Sequence, residues 1–172
     1  MSLRRLVSFK CPGSTTANVL GIGTDIVYLP RFAKLVSDDA SARKARTNNR
    51  ILGKFMHATE LSKLQCMRQN NRPDTALVQY VAGVWATKEA VYKCFASSSN
   101  TSIIELPPAK TIYTRFCYKT NDSKGIPKLV FDQELAGVYP EFVKAYIDNT
   151  KFLLSISHDA DYLVSYVCHV RH

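Results

Sequence analysis

Glu89 and Lys93 stand four residues apart in the stretch WATKEAVYK, Trp85 to Lys93. On a helix that spacing puts both side chains on one face. As a solvated surface pair they would contribute only a few tenths of a kcal/mol. Their neighbours Val84, Trp85 and Val91 are apolar, however, so the carboxylate sits on the body of a helix otherwise built for burial. A carboxylate there could hold a hard cation such as Mg2+, which takes oxygen ligands and leaves positions for substrate phosphates. Lys88 and Lys93 could hold phosphate oxygens.

A second acid, Asp25, lies in GIGTDIV, Gly21 to Val27. The two glycines do not make a dinucleotide loop, because the third glycine is missing and a strand follows instead of a helix. As a bare pattern Asp25 reads first as a strand-end residue capping a turn. Yet an acid inside an apolar strand must be desolvated or meet a cation. The glycines upstream would let another group come close to the backbone. A third stretch, SISHD from Ser155 to Asp159, closes an apolar strand with two hydroxyls, an imidazole and a carboxylate. That is ordinary turn chemistry, or equipment for phosphate binding and general-base work.

The elements that must position these groups can be read from periodicity. Asn18 to Leu29 is β-rich and ends at Pro30, which suits the start of a short helix over residues 31–36. Residues 37–50, SDDASARKARTNNR, read as a polar, mobile basic loop. A short helix is expected from Ala58 to Arg68, capped by Thr59 or the residues before it. The strongest helix runs from about Asp74, after Pro73, to Phe95, with Leu77, Val81, Val84, Trp85, Val91 and Phe95 on one broad face. Ile112 to Tyr118 alternates and reads as a strand, Lys128 to Phe131 as another, with SKGIP as the turn between. Glu134 to Ile147 reads as one helix. Phe152 to Ser157 and Tyr162 to Val170 read as a hairpin. The fold class is therefore α+β: a single domain with an antiparallel sheet packed on a long central helix.

Length and composition bound the rest. A chain of 172 residues with 46% hydrophobic content suits one globular domain. No apolar run approaches the roughly 18–20 residues of a membrane-spanning helix. The five cysteines, Cys11, Cys66, Cys94, Cys117 and Cys168, form no CxxC pair. That argues against a disulfide framework or a zinc site, and for reduced thiols inside a cell. The net charge of +9 is uneven: residues 31–72 carry +7, while residues 73–172 cancel. Such asymmetry points to an acidic partner or to a solvated basic face. A basic nucleic-acid-binding module would explain the charge. It would not explain Asp25 and Glu89, and the strands lack the aromatic and basic interleaving of an RNA-binding sheet. An unrelated Mg2+-dependent phosphoryl transferase or hydrolase is the third reading. The first 24 residues contain no acid but three bases and several hydroxyls. That composition fits a short mitochondrial presequence, with residues 1–18 as tail and the domain over 19–172.

GIGTDIV, then WATKEAVYK, then SISHD before a last apolar strand, taken in this order, resemble the 4'-phosphopantetheinyl transferase superfamily. The length and the single set of motifs resemble its small holo-acyl-carrier-protein synthase type, and the basic N-terminus a fungal mitochondrial member. The resemblance implies transfer of phosphopantetheine from coenzyme A to a serine of apo acyl-carrier protein, with release of adenosine 3',5'-bisphosphate. It implies Asp25 and Glu89 as Mg2+ ligands, and Lys93 with Lys88 against the pyrophosphate. Ser157 and His158 would line the nucleotide end of the coenzyme A site. Arg31, Arg50 and Lys54 would dock the acidic carrier. Glu60, in the stretch HATEL, is one candidate proton acceptor and Glu89 the rival. A mitochondrial matrix enzyme, assembled as a homotrimer with no nucleic-acid partner, is what the family implies. The chain departs from the family pattern at Val84, where arginine is usual, and at Ala96 to Asn100, where a glycine-rich loop is usual. Residues 37–49 resemble an insertion.

Overall fold

The expected central helix is observed as Asp74–Ala96 (α4). In the computed structural model, which describes residues 18–36, 42–98 and 104–171, this helix is the axis of the molecule. Its apolar stripe is broader than a surface helix needs. Leu77, Val81, Ala82, Val84, Ala86, Ala90, Val91, Cys94 and Phe95 are all buried, so elements cover it on several sides.

One side is a three-stranded antiparallel sheet, Asn18–Tyr28 (β1), Tyr162–Arg171 (β5) and Thr150–Asp159 (β4), in the order β1-β5-β4. The hairpin is longer than its apolar cores suggested, and its turn has only Ala160, at φ 47°, and Asp161 between paired Asp159 and Tyr162. Odd-numbered residues of β1 and β5 face α4, among them Val27, Leu163, Ser165 and Val167, all buried. Short helices pack round the rest of α4: Pro30–Val36 (α1), Ala42–Leu52 (α2) and Ala58–Gln69 (α3). The smaller hairpin Cys117–Asn121 (β2) and Pro127–Phe131 (β3) turns at Gly125, whose φ of 82° explains the glycine.

Several elements differ from the sequence expectation, each for a physical reason. The helix Ala42–Leu52 takes in residues 42–50, where a loop was expected, because Leu52 is buried and the Asn48 amide donates to the Lys34 carbonyl at 2.9 Å. The first part of that supposed loop, residues 37–41, lies outside the described residues, as do residues 99–103 of the region after α4 and residues 1–17 of the expected presequence. The α3 cap is His57, one of the residues before Thr59 that the expectation allowed: its ring accepts from the Thr59 amide while the Glu60 side chain accepts from the His57 amide. Ala109–Thr111 (α5) runs into a π-helical turn, Ile112–Phe116, where alternation had suggested a strand. The expected helix 134–147 is two, Glu134–Val138 (α6) and Pro140–Tyr146 (α7), because Pro140 disfavours helical geometry at Tyr139.

One end of the core is aromatic. Phe95 has Phe142, Tyr146 and Phe152 ring centroids within 5.1–5.7 Å, and His169 stacks on Phe152 at 4.2 Å. His169 is fully buried. Burial pushes its pKa down to about 4 from 6.5. The unfolded chain therefore binds the proton more tightly than the folded one. Stability should be level above pH 6.5 and fall as the pH drops towards 4, by on the order of 3 kcal/mol from this ring. Urea unfolding across that range should show this excess loss in the wild type and not in His169→Phe. Identical profiles for the two chains would refute it.

Candidate active site at the crossing of strand β1 and helix α4

The site begins with two glycines. A Cβ at Gly23 would lie 1.9 Å from the Ala90 carbonyl oxygen, and one at Gly21 would lie 2.4 Å from that of Cys94. The group that approaches these glycines is therefore the backbone of α4. Ser97 clips the same crossing: its hydroxyl is 2.7 Å from the Ile22 carbonyl and accepts from the Ile22 amide at 3.0 Å. Gly23→Ala should push β1 off α4 and carry Asp25 with it. We expect a loss of several kcal/mol in stability, read by thermal unfolding, since both clashing partners are backbone. A wild-type melting midpoint in this variant would refute the close crossing.

Two residues beyond Gly23, Asp25 faces the helix opposite Ser165. Its Oδ1 is 2.7 Å from the Lys93 ammonium, which also donates to the Thr24 carbonyl at 3.2 Å. Glu89 lies one turn before Lys93 on the same face of α4. The Tyr113 hydroxyl donates to Glu89 Oε1 at 3.1 Å. Burial of Tyr113, then the charge of Glu89, raises its pKa far above the ordinary phenol value; Asp25 adds a smaller push in the same direction. The hydroxyl thus stays a donor. Asp25, Glu89 and Lys93 are brought together as their motifs required, with Tyr113 beside them.

Lys88 and Glu60 are not brought there. Lys88, adjacent to Glu89, turns inward and is 1% exposed. Its ammonium meets Glu60 Oε2 at 2.7 Å and donates to the carbonyls of Cys117, at 2.9 Å, and Tyr113. Glu60 is equally enclosed: Oε2 also accepts from the His57 amide, and Oε1 from the Lys119 amide at 2.7 Å. Three interior donors hold the carboxylate, and at 1% exposure it is closed off from solvent. The expectations that Lys88 contacts the pyrophosphate and that Glu60 takes a proton are corrected accordingly; the pair ties α3 and α4 to the π-helical turn and β2.

Arg31 and Lys54 line a cleft of about 380 Å³ floored by Phe32, Phe55 and Trp85, with Tyr113 in its wall. The Arg31 guanidinium lies 5.1 Å from the Phe32 ring centroid and 5.9 Å from that of Trp85, which holds it over the floor. Lys110 joins the rim. Arg50 is exposed near the end of α2 and does not line the cleft.

Ser157 and His158 sit on β4, two strands from β1, which is about 10 Å in strand spacings. His158 shares the helix-facing side with Leu163 and Val27, while Ser157 lies on the outer side with Val164 and Ile26. His158 lines a separate cleft of about 350 Å³ with Tyr80, Lys119 and Pro127, beside the N-terminal half of α4. Burial, with Lys63 nearby, holds the Lys119 ammonium pKa below its usual value. A single chain therefore does not join Ser157 and His158 to Asp25. The outer side of the sheet bears exposed Ile22, Ile26, Tyr28, Leu153, Tyr162, Val164 and Tyr166.

Sequence reasoning missed Tyr113, Ser97 and Lys110. Tyr113 is 24 residues from Glu89, and only the π-helical turn aims it there. Ser97 was legible in one respect, as the first hydroxyl after the helix.

The described residues contain no group of three histidine, cysteine or acidic side chains able to hold a metal. They do hold a carboxylate pair, of which Asp25 already binds the Lys93 cation.

Known proteins resemble this chain over most of its length. The model of the 4'-phosphopantetheinyl transferase superfamily matches residues 21–166. The mitochondrial holo-[acyl-carrier-protein] synthase of Eremothecium gossypii is 43% identical over 169 residues, 96% of this chain and 86% of that protein. That of Saccharomyces cerevisiae is 36% identical over 86% of this chain and 89% of its own. Among solved structures, the holo-ACP-synthase of Plasmodium yoelii superposes with a TM-score of 0.60 at 21% identity, covering 92% of this chain and 99% of that one. An ACPS-CoA complex from Chronobacterium ammoniagenes gives 0.58 at 22% identity over 90% of this chain and 99% of that one, a likeness of fold. With GIGTDIV and WATKEAVYK meeting at one strand-helix crossing and the family model spanning most of its length, this chain belongs to the 4'-phosphopantetheinyl transferase superfamily.

Proposed function

We propose that this protein is a mitochondrial holo-acyl-carrier-protein synthase. It moves the 4'-phosphopantetheine arm of coenzyme A onto a serine of apo acyl-carrier protein and releases adenosine 3',5'-bisphosphate. The observation that carries the reading is the meeting of Asp25, Glu89 and Lys93 where β1 crosses α4, beside a cleft rimmed by Arg31 and Lys54.

Asp25 and Glu89 would hold Mg2+. Two hard carboxylates suit that ion, which keeps several positions for water and phosphate, and the Lys93 ammonium on Asp25 is a cationic stand-in. The ion, when bound, neutralises charge on the pyrophosphate. Lys93, half exposed and one turn from Glu89, swings from Asp25 to the phosphate oxygens and stabilises charge growing on the leaving group. The serine oxygen bonds to the phosphorus that carries the pantetheine arm. The bond from that phosphorus to the bridging oxygen breaks, and the nucleotide departs with the electron pair. Glu89 accepts the serine proton, directly or through water. It is preferred to Glu60 because its carboxylate borders the cleft wall and Glu60 is sealed.

Arg31 and Lys54 dock the acidic carrier, with Lys110 beside them and Arg50 at longer range. Ser157 and His158 serve the nucleotide end of coenzyme A from a neighbouring copy. Three copies meeting through the apolar outer face of the sheet would cover that face and supply the missing strand edge. Light scattering on the purified chain tests this; a monomer that is fully active would refute it. The basic, acid-free N-terminus addresses the enzyme to the matrix, which an import assay on the chain with and without residues 1–18 checks.

The deciding experiment is the intact mass of apo acyl-carrier protein after incubation with this protein, coenzyme A and Mg2+. One phosphopantetheine gained, and not gained with EDTA, is the expected result. No gain, on a carrier that another synthase modifies, would overturn the reading.

A further inference from the structure

Tyr113 is gripped at both ends by consecutive residues of α4. Its carbonyl accepts from the Lys88 ammonium, and its hydroxyl donates to Glu89 Oε1 at 3.1 Å. Lys88 is itself locked by Glu60 at 2.7 Å and by the Cys117 carbonyl at 2.9 Å, so the grip is anchored in the core. The Tyr113 ring is 6% exposed and meets the Tyr92 ring edge-on at 6.1 Å. It occupies the π-helical turn Ile112–Phe116, an irregularity often sited at functional positions. The same residue walls the cleft that holds Arg31, Lys54 and Trp85. It thus hydrogen-bonds Glu89 and also borders the docking cleft.

From this geometry we infer that Tyr113 is a positioning residue for Glu89. It divides the labour of the two carboxylate oxygens. Oε1 is held by the phenol, and Oε2 is left to face the cation and the incoming serine. The buried Glu60–Lys88 pair acts at one remove, by fixing the backbone from which the phenol reaches. This assignment rests on the proposed transfer reaction and deepens its site.

Tyr113→Phe removes one oxygen and keeps the packed ring, so the fold should survive; the melting midpoint checks that. Two readouts are compared with the wild type: Mn2+ affinity of the protein without coenzyme A, by water-proton relaxation, and steady-state transfer with varied carrier. A hydrogen bond to a charged group is expected to be worth about tenfold here. The variant should lose roughly tenfold in kcat, bind Mn2+ several-fold more weakly, and keep the carrier KM. A merely structural tyrosine would lower the melting midpoint and leave Mn2+ affinity alone. Wild-type kcat and Mn2+ affinity in Tyr113→Phe, from a wild-type chain that does transfer, overturn this assignment only. A wild-type chain that neither binds Mn2+ nor transfers overturns the proposed function and this assignment together.

Discussion

Asp25→Ala should lower transfer by roughly 10²–10³-fold while leaving the protein folded. The two parts of that expectation have separate physical grounds. Asp25 lies at the crossing, with 14% of its side chain exposed, and its partner is the Lys93 ammonium, 52% exposed. The Lys93 end of the pair is open to water and screened, so the pair contributes about 1 kcal/mol to stability. Removing it should barely move the melting midpoint. The loss in rate follows from the proposed role of the carboxylate, holding a cation at the reacting centre where charge builds in the transition state. Asp25→Asn is the sharper variant, since it keeps the shape and removes the charge. It should fall nearly as far as the alanine. Steady-state transfer and thermal unfolding on the same preparations check both parts. An Asp25→Asn enzyme with wild-type kcat would sink the assignment of the site.

Lys88→Met should have the opposite profile, a steep loss of stability from a residue that itself touches no reacting group. It leaves the Glu60 carboxylate buried at 1% exposure without its counter-charge. Breaking such a pair from one side costs about 3–5 kcal/mol. Domains of this kind have only about 5–15 kcal/mol to lose. The urea midpoint should drop steeply, and the chain could fail to fold at 37 °C. Glu60→Gln should be milder, since its amide can still accept from an amide donor, but it leaves the ammonium uncompensated. The double variant Lys88→Met with Glu60→Gln should recover part of the loss, because no net charge is then buried. Double-mutant-cycle coupling in urea unfolding reads this directly. If Glu60 were the proton acceptor, Glu60→Gln would melt like the wild type and lose kcat, and the correction made above would be wrong.

Much of the site was legible before any fold was known. Helix α4 was expected from Asp74 to Phe95 and extends to Ala96, because its start signals and periodicity are local properties of contiguous residues. The sharing of one face by Glu89 and Lys93 follows from helical pitch alone. Asp25 was suspect because a carboxylate in an apolar strand needs a cation, and it has one. The glycines before it announced a close approach, though not that the approaching group would be the backbone of α4. Where propensity was weak or ambiguous, the reading failed. Residues 42–50 are polar enough to resemble a loop, and only the burial of Leu52 and the Asn48 bond to α1 declare a helix. Ile112, Tyr113 and Phe116 fit either a strand or a helix, and packing against α4 selected the π-helical turn.

By itself, then, the sequence determined the central helix, the strand that carries Asp25, the α+β class and the family. These rest on short-range spacing, hydrophobic period and motif order, all of which are properties of neighbouring residues. Tertiary structure alone decided which charges are spent inside the protein. Lys88 and Glu89 are adjacent and look alike as charged residues on one helix, yet 100° of helical rotation sends one into the core and the other to the Tyr113 hydroxyl. The partner that captures Lys88 is Glu60, 28 positions earlier, and the phenol that holds Glu89 comes from 24 positions later. No local pattern encodes those meetings, because they are set by how α3 and the π-helical turn converge on α4 at Lys88. The same holds for Ser157 and His158, whose distance from Asp25 is fixed by the strand order β1-β5-β4 and by nothing in their own neighbourhood.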